Sequence, residues 1–322
     1  MGEMTSMANG SITVSEFVLQ CTINSDQSLL TISILIIVYL LSLFGNLLVI
    51  LVILWNHQLH APMYFYIVAL AVIDLSNSTI LIPKMISVLM LDTVVPYGAC
   101  VLQMFVILHV EEMESFVLTF MAVDRFIAVV YPLRYPSIIT NKTVGVGLFI
   151  LNAFGLIFKS PFIFFATELS FCRTNVLPYC FCDYATMVHV ACTDDPKYLK
   201  FLTAVVMSAG MFPMFFILFT YARIALAALK ISSAEGKSKV FSTCLTHLLV
   251  VGLFYIPLLS SYALPGAGVK LSTETYNTMV IVGNVLPPMV NPIIYSFRNK
   301  EIKSCIHQLL TGKRTSPLLN DK

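Results

Sequence analysis

The chain has 322 residues, of which 58% are hydrophobic and only 11% are charged. A soluble globular domain usually carries about 25% charged residues, so this composition excludes an ordinary soluble protein and favours a chain embedded in a membrane. The formal net charge of +2 is too small to indicate nucleic-acid binding. We therefore expect the lipid bilayer to be a partner of this chain, and nucleic acid not to be one.

Long apolar runs divide the chain into spans. A helix that crosses the hydrocarbon core needs roughly 20 apolar residues, and the sequence contains seven such runs. They cover residues 29–54, 63–90, 100–130, 144–165, 201–229, 240–264 and 275–295. The pattern predicts an all-α membrane protein, a seven-transmembrane helix bundle with a short cytoplasmic helix after the last span.

The distribution of basic residues predicts the orientation. An odd number of spans places the termini on opposite sides, and a C-terminus inside gives the cytoplasm 13 of the 19 Lys and Arg residues, as the positive-inside rule requires. The N-terminal segment has no Lys or Arg and carries a sequon at Asn9, typical of a glycosylated outer segment. We predict a multi-pass plasma-membrane protein with an extracellular tail (1–28), a seven-transmembrane domain (29–298) and a cytoplasmic helix and tail (299–322).

Cysteine usage agrees with this topology. Six of the eight cysteines fall on the oxidising outer side, namely Cys21, Cys100, Cys172, Cys180, Cys182 and Cys192. Six cysteines allow 15 pairings, so the sequence alone does not choose among them. On the inner side, Cys305 follows the last span among basic residues, where it fits either a palmitoylated or an unmodified thiol.

Several motifs resemble those of a known receptor family. The stretch MAVDRFIAVVYPLRYP (121–136) resembles the end of the third helix in odorant receptors. It is accompanied by GNLLV (45–49), LHAPMYFYIVALAVIDL (59–75), KVFSTCLTHLLVV (239–251) and PPMVNPIIYSFRN (287–299). The sixth span contains no Trp, and odorant receptors can also lack a Trp in that span. The resemblance covers all seven spans and points to a rhodopsin-like G-protein-coupled receptor of the odorant type.

This resemblance implies a function. An odorant receptor binds small organic ligands in a transmembrane pocket and activates a stimulatory olfactory-type G protein, which raises cyclic AMP. The resemblance also implies two disulfides, Cys100–Cys182 and Cys172–Cys192, and a long outer loop (171–192) that covers the pocket. It assigns no partner to Cys21 or Cys180, which could bridge each other.

Ionisable residues inside the membrane are functional candidates, because burying a charge without a partner is costly. Asp124 and Arg125 lie about 37 Å below Cys100 at 1.5 Å rise per residue, which is the cytoplasmic mouth of the bundle. We expect an Asp–Arg pair there to hold the inactive state and to break when a G protein enters. Residues that resemble the polar groups rearranging on activation are Tyr221, Asn291, Pro292 and Tyr295. Alternatively, they only satisfy a proline-kinked helix.

A second group of ionisable residues lies near mid-membrane. Asp74 is on the second span, and Glu114 lies about three turns from Arg125 on the third. Two carboxylates in a dry core either share a proton or hold a cation. The resemblance implies a sodium site here, with Asn46 as a neutral oxygen donor. A protonated, hydrogen-bonded pair is the alternative.

Two adjacent acids, Glu111 and Glu112, are the most individual feature of the chain. Together with Leu108 and Ser115 they follow one face of the third span, and Glu111 lies about 16 Å below Cys100. A carboxylate at this depth favours a cationic odorant such as an amine. By resemblance, the same cavity is lined by Tyr255, Leu259, Tyr262 and Asn284.

A structural role for these acids competes with ligand binding. Lys159 on the fourth span lies within one turn of the depth of Glu112, so it can neutralise that carboxylate. Glu111 then pairs with the nearby His109, is protonated, or binds a cation. The sequence leaves a structural network and cation recognition both open.

Other classes of function are less consistent with the sequence. A rhodopsin-like receptor for a peptide or lipid shares the same motifs. An ion-coupled transporter explains intramembrane acids, but matching broken helices in two halves are not seen. No nucleophile–base pair, HExxH motif or phosphate loop is present, so we expect no enzyme. The only cofactor we expect is a possible structural or allosteric sodium ion.

Overall fold

A computed structural model describes residues 7–8, 11–12, 14–21, 28–172, 174–266 and 272–311. In chain order its helices are α1 (Ser28–Trp55), α2 (Pro62–Leu89), α3 (Tyr97–Val130), α4 (Tyr135–Ile138), α5 (Asn141–Glu168), α6 (Tyr184–Val190), α7 (Lys197–Val206), α8 (Phe212–Leu229), α9 (Ala234–Gly266), α10 (Thr273–Arg298) and α11 (Lys300–Thr311). A π-helical turn, Met207–Met211, joins α7 and α8 into one span. In this described part, the seven predicted spans and the short helix after them are confirmed.

The spans differ in how much charge they carry. Six of them are long and apolar enough to cross a membrane. Helix α3 is the exception because its 34 residues include five charged ones, Glu111, Glu112, Glu114, Asp124 and Arg125. This helix packs against α2, α5, α8 and α9, so its charges lie among other helices. By contrast, α1 and α5 expose large apolar side chains of the kind that a lipid-facing surface requires.

A small sheet covers one end of the bundle. Strand β3 (Glu16–Leu19) pairs antiparallel with β4 (Val94–Pro96) and parallel with β5 (Val176–Leu177). A separate two-stranded pairing joins β1 (Met7–Ala8) and β2 (Ser11–Ile12). The sheet was not predicted, because each strand is short and its partners are remote in sequence. Residues 16–19 therefore belong to the folded bundle rather than to a free tail.

Three disulfides fasten the same end, which we call the disulfide end. Cys100–Cys182 and Cys172–Cys192 confirm the two pairings that the resemblance implied. Cys21 and Cys180 form the third, with their Cα atoms 4.4 Å apart. This third bridge ties the segment that carries β3 to the loop that follows β5. The disulfide end thus has a covalently closed cover.

The opposite end, which we call the basic end, carries α11. Its Cys305 is only 1% exposed, and its sulfur accepts a hydrogen bond of 2.9 Å from the Gln58 amide. This environment favours the unmodified thiol over a palmitoylated one. The sequon at Asn9 and residues 312–322 lie outside the described residues.

Close packing between α9 and α10 gives the first prediction. A Cβ atom at Gly283 would lie 2.7 Å from the Pro257 Cβ, whereas one at Gly252 would make an ordinary 3.7 Å contact with Ile256. Overpacking of this kind costs about 1–3 kcal/mol. We expect Gly283→Ala to lower the midpoint of thermal unfolding of the detergent-solubilised protein, and Gly252→Ala to leave it equal or higher. Equal stability of the two variants would contradict this packing.

Candidate functional site

The main cavity lies below the disulfide end, between α3, α9, α10 and the loop around β5. Its volume is about 50 Å³, counted as space for the centres of water-sized groups, which is room for several waters or a small ligand. Apolar side chains of Met104, Ile107 and Leu108 form one wall. Its polar lining includes Glu111 and Asn284, as predicted.

A second cavity of about 40 Å³ lies beside the first, against the π-helical turn. Its lining contains four predicted ligand contacts, Leu108, Glu111, Glu112 and Ser115. Leu108 and Glu111 also line the first cavity, so the two spaces share a wall. A π-helical turn often marks a functional site, because it redirects the side chains of a span.

The sixth span presents a different face from the one predicted. Helix α9 lines the first cavity with Phe254, Pro257, Leu258 and Ser261. Tyr255 is instead buried in the core and shares a hydrogen bond of 2.8 Å with Ser115, and Leu259 packs against the core below the cavity. The sequence indicated how deep these residues lie in the bundle. It did not indicate the rotation of α9 about its axis, which decides which of its side chains face the cavity. The side chain of Tyr262, the remaining predicted contact, lies outside the described part of the structure.

Glu112 has a partner in the neighbouring span. The Lys159 ammonium lies 3.8 Å from the Glu112 carboxylate, and both side chains are buried. A Cβ at Gly155 would lie 3.3 Å from that carboxylate, so a glycine gives the acid room against α5. Lys159 also faces the Phe162 ring at 5.7 Å. Glu112 and Lys159, which the sequence placed at similar depths in the membrane, therefore form a buried ion pair.

Glu111 is placed differently. It forms none of the ion pairs within 4 Å in the described part of the chain. His109, the basic neighbour considered from the sequence, shares a 3.0 Å hydrogen bond with Asn152 through its Nε2 atom. Asn284 lines the same cavity, and its amide donates a 3.1 Å hydrogen bond to the Val280 carbonyl in its own helix. Among the described residues, no lysine, arginine or histidine therefore lies at ion-pair distance from this carboxyl group of Glu111.

The mid-membrane polar group joins α1, α2 and α10. The Asn291 amide donates to both carboxylate oxygens of Asp74, at 3.3 and 3.1 Å. The Asn46 amide donates to the carbonyl of Pro288 at 2.8 Å. Glu114 lies close enough for its charge to interact with Asp74. Its Oε1 atom is buried with no hydrogen-bond partner among the described residues.

Near the basic end, the hydrogen bonds differ from those expected. Asp124 accepts a 2.9 Å hydrogen bond from the Tyr135 hydroxyl, while Arg125 contacts the sulfur of Met63. An Asp124–Arg125 ion pair within 4 Å is absent from the described residues. Consecutive residues of a helix point in different directions, so each finds its own partner. Tyr135, which lies in α4, was not singled out from the sequence.

Another hydrogen bond joins the fifth and sixth spans. The Tyr221 hydroxyl shares a 2.6 Å hydrogen bond with His247 Nδ1, and both residues are buried. On α10, Tyr295 is buried in the same core as Tyr221, and Pro292 is buried where α10 packs against Gly45 of α1. Tyr221 was predicted as a switch residue, but His247 was missed. Its signal was a single histidine in the apolar run of α9.

Known proteins resemble this chain along most of its length. A family model described as olfactory receptor matches residues 35–313. Olfactory receptor 1496 of Rattus norvegicus is 36% identical over 87% of this chain and 90% of its own length. Olfactory receptor 10A2 of Homo sapiens is 37% identical, over 88% and 93% respectively. Olfactory receptor 1E5 of Pan troglodytes is 33% identical over 97% of this chain and 99% of its own length.

The buried ion pair gives a second prediction. Removing one partner of such a pair costs about 3–5 kcal/mol, because the other charge stays buried. We expect Glu112→Gln and Lys159→Met each to lower the thermal unfolding midpoint strongly, and the double variant to recover most of that loss. The exposed pair Lys197–Glu168, at 2.9 Å, serves as a control, since exposed pairs contribute at most about 1 kcal/mol. Losses that simply add in the double variant would show that the two charges are not coupled.

Proposed function

Since this chain belongs to the olfactory receptor family, whose members are G-protein-coupled receptors and not enzymes, we propose that it is activated by a small cationic odorant such as an amine. The observation that carries this proposal is the position of Glu111. Its carboxylate lines both cavities and lacks a basic partner at ion-pair distance in the described residues. A ligand ammonium would supply the missing positive charge.

The rest of the cavity fits a small amphipathic ligand. Small-molecule sites are mostly apolar, with a few polar groups that fix orientation. Here Leu108, Phe254 and Leu258 offer apolar contact in both cavities, and Asn284 offers an amide beside Glu111. Lys159 also lines the second cavity, but its ion pair within 4 Å is with Glu112 and not with Glu111. A peptide or lipid suits this volume poorly, which favours an odorant.

Ligand binding is proposed to act through the floor of the second cavity. Ser115 donates a 2.6 Å hydrogen bond to the carbonyl of Ala209 in the π-helical turn. The same hydroxyl group shares a hydrogen bond with Tyr255 on α9. A ligand in contact with α3 therefore bears on the fifth and sixth spans through one side chain. Those spans carry the Tyr221–His247 bond at the other end of the bundle.

Coupling to a G protein is proposed at the basic end, facing the cytoplasm, with the disulfide end outside. The Tyr221–His247 and Asp124–Tyr135 bonds would hold the inactive state. A ligand that prefers the state in which they are broken shifts the population toward it, and the G protein in turn tightens ligand binding. The family relationship favours the stimulatory olfactory-type G protein and a rise in cyclic AMP.

A sodium ion is proposed between Asp74 and Glu114. The fit rests on the buried, unpartnered Oε1 atom of Glu114 and on its proximity to Asp74. Asn46 would contribute its amide oxygen, because its amide nitrogen already donates to Ser42 and Pro288. Bound sodium would offset the repulsion between the two carboxylates.

The ligand proposal predicts the effect of neutralising one acid. Glu111→Gln keeps the shape of the side chain but removes its charge. Because a hydrogen bond to a charged group contributes about 1.5–3 kcal/mol, we expect amine potency to fall about tenfold to a hundredfold in a cyclic-AMP assay. Surface abundance should hold. An unchanged amine response, or activation by neutral odorants alone, would contradict the proposed role of Glu111.

The switch proposal predicts a change in signalling without ligand. His247→Phe removes the bond to Tyr221 while keeping a ring in the core, so we expect basal cyclic AMP per surface receptor to rise. Thr246→Val is the matched control, because that hydroxyl only donates to the carbonyl of Ser242 in its own helix. A basal signal that rises no more than in the control would argue against this bond as a lock.

The sodium proposal predicts a specific ion dependence. Replacing potassium by sodium should raise the thermal unfolding midpoint of the purified receptor, because the ion binds the folded state. Asp74→Asn should abolish that increase. Glu301→Gln serves as a control for an acid at the basic end, which bonds with Tyr64 rather than with Asp74. The same sodium shift in the Asp74 variant would rule out this site.

A further inference from the structure

The first cavity contains more carboxyl groups than one amine would pair with. Three carboxylates line it, those of Glu111, Glu114 and Asp183, and the lining recorded for the described residues includes no Lys, Arg or His. A monoamine at Glu111 leaves two acids uncompensated in a water-poor space, where an unpaired charge is costly. The number of acids in the lining therefore indicates how many positive charges the ligand carries.

Glu114 forms the deep end of this arrangement. It is 3% exposed, lines the cavity, and holds a buried Oε1 atom with no hydrogen-bond partner among the described residues. It lies one turn from Glu111 on the same helix, so both project from one face. Their charges interact. An orphaned carboxylate oxygen beside a cavity is a binding position for a cation or a hydrogen-bond donor.

Asp183 forms the other end, near the cover. The Cys100–Cys182 disulfide fixes the preceding residue, whose backbone nitrogen also donates a 3.0 Å hydrogen bond to Gln103. Asp183 caps α6 by accepting two hydrogen bonds from Thr186 on its Oδ2 atom, at 2.9 and 3.0 Å. Burial raises the pKa of this carboxyl above its ordinary value, and the Thr186 hydrogen bonds oppose that rise. Asp183 is thus held rigidly at the cavity wall.

These carboxylates follow the bundle axis. Gln103, which marks the level of the loop, is eight residues above Glu111, a rise of about 12 Å, and Glu114 is about 4.5 Å below Glu111. The charges of Asp183 and Glu111 lie close enough to interact. Apolar side chains of Met104, Ile107 and Leu108 lie along the same wall. Along the bundle axis, the cavity wall therefore presents an acid, then apolar side chains, then further acids. This arrangement suits a linear ligand charged at both ends.

We propose that the ligand is a linear α,ω-diamine, with one ammonium at Asp183 and the other at Glu111 and Glu114. Its methylene chain lies along the apolar wall of α3. This inference rests on the proposed cationic odorant and specifies its charge. Glu114 then faces two cations, the inner ammonium on the cavity side and sodium on the side of Asp74. A monoamine remains a weaker ligand, held by Glu111.

The test uses the full-length receptor with an olfactory-type G protein and a cyclic-AMP readout. The probes are α,ω-diamines from ethanediamine to octanediamine, each with the monoamine and the diol of the same chain length. We expect one intermediate diamine to exceed its monoamine by about tenfold or more in potency, which corresponds to about 1.4 kcal/mol for the second charge. The diols should be inactive.

Two variants locate the second charge. Asp183→Asn retains a side chain that caps helices well and should lower diamine potency to the level of the matched monoamine, while the monoamine response changes much less. Glu114→Gln retains its shape and should weaken both ligands. Asp195→Asn is the control, because that acid pairs with Lys197 away from the cavity. Surface labelling checks folding, and Asp183→Asn alone decides the question if Glu114→Gln fails to reach the surface.

The outcomes separate the two proposals. Equal potency of diamines and monoamines, or equal losses for both in the Asp183 variant, would overturn the diamine assignment and leave the role of Glu111 intact. Silence to every amine, from a surface receptor that responds to a neutral or acidic odorant, would overturn the cationic ligand itself. A diamine preference that survives both substitutions would place the second charge elsewhere and also reject the assignment.

Discussion

Helix α3 carries Glu111, Glu112 and Glu114 within one turn of a membrane span, where an unpaired charge is costly. Only one of them has a basic partner at ion-pair distance in the described residues, because Lys159 of α5 pairs with Glu112 at 3.8 Å. The pair is possible because Gly155 leaves room at the contact between the two helices. The remaining acids face the main cavity. The proposed ligand chemistry follows from this imbalance between three acids and one lysine.

The two ends of the bundle are held in different ways. At the disulfide end, covalent bridges and a three-stranded sheet fix the cover, and with it the position of Asp183 above the cavity. At the basic end, single hydrogen bonds such as Tyr221–His247 join neighbouring spans. A rigid cover with weaker contacts at the far end allows a ligand to change one end without loosening the other. This contrast suits a receptor that responds through a population shift.

The sequence predicted the spans well, because length and hydropathy determine which segments cross a bilayer. It also predicted the depth match of Glu112 and Lys159, since the rise along a helix is fixed. The rotation of α9 about its axis was harder to predict, because this helix is apolar on most sides. Tyr255 and Leu259 were therefore assigned to the cavity in place of Pro257 and Leu258. The β3 sheet, the Cys21–Cys180 bridge and the approach of Asp183 to the cavity join segments remote in sequence, and no local pattern encodes them.

If Glu111 binds the odorant, the charge of residue 111 determines the charge of the ligand. A direct test is reversal of that charge in Glu111→Lys, followed by comparison of an active amine with the carboxylic acid of the same carbon chain in a cyclic-AMP assay. Surface labelling normalises both receptors. We expect the variant to lose the amine response and to gain a response to the acid. An amine preference that persists after the reversal would contradict it.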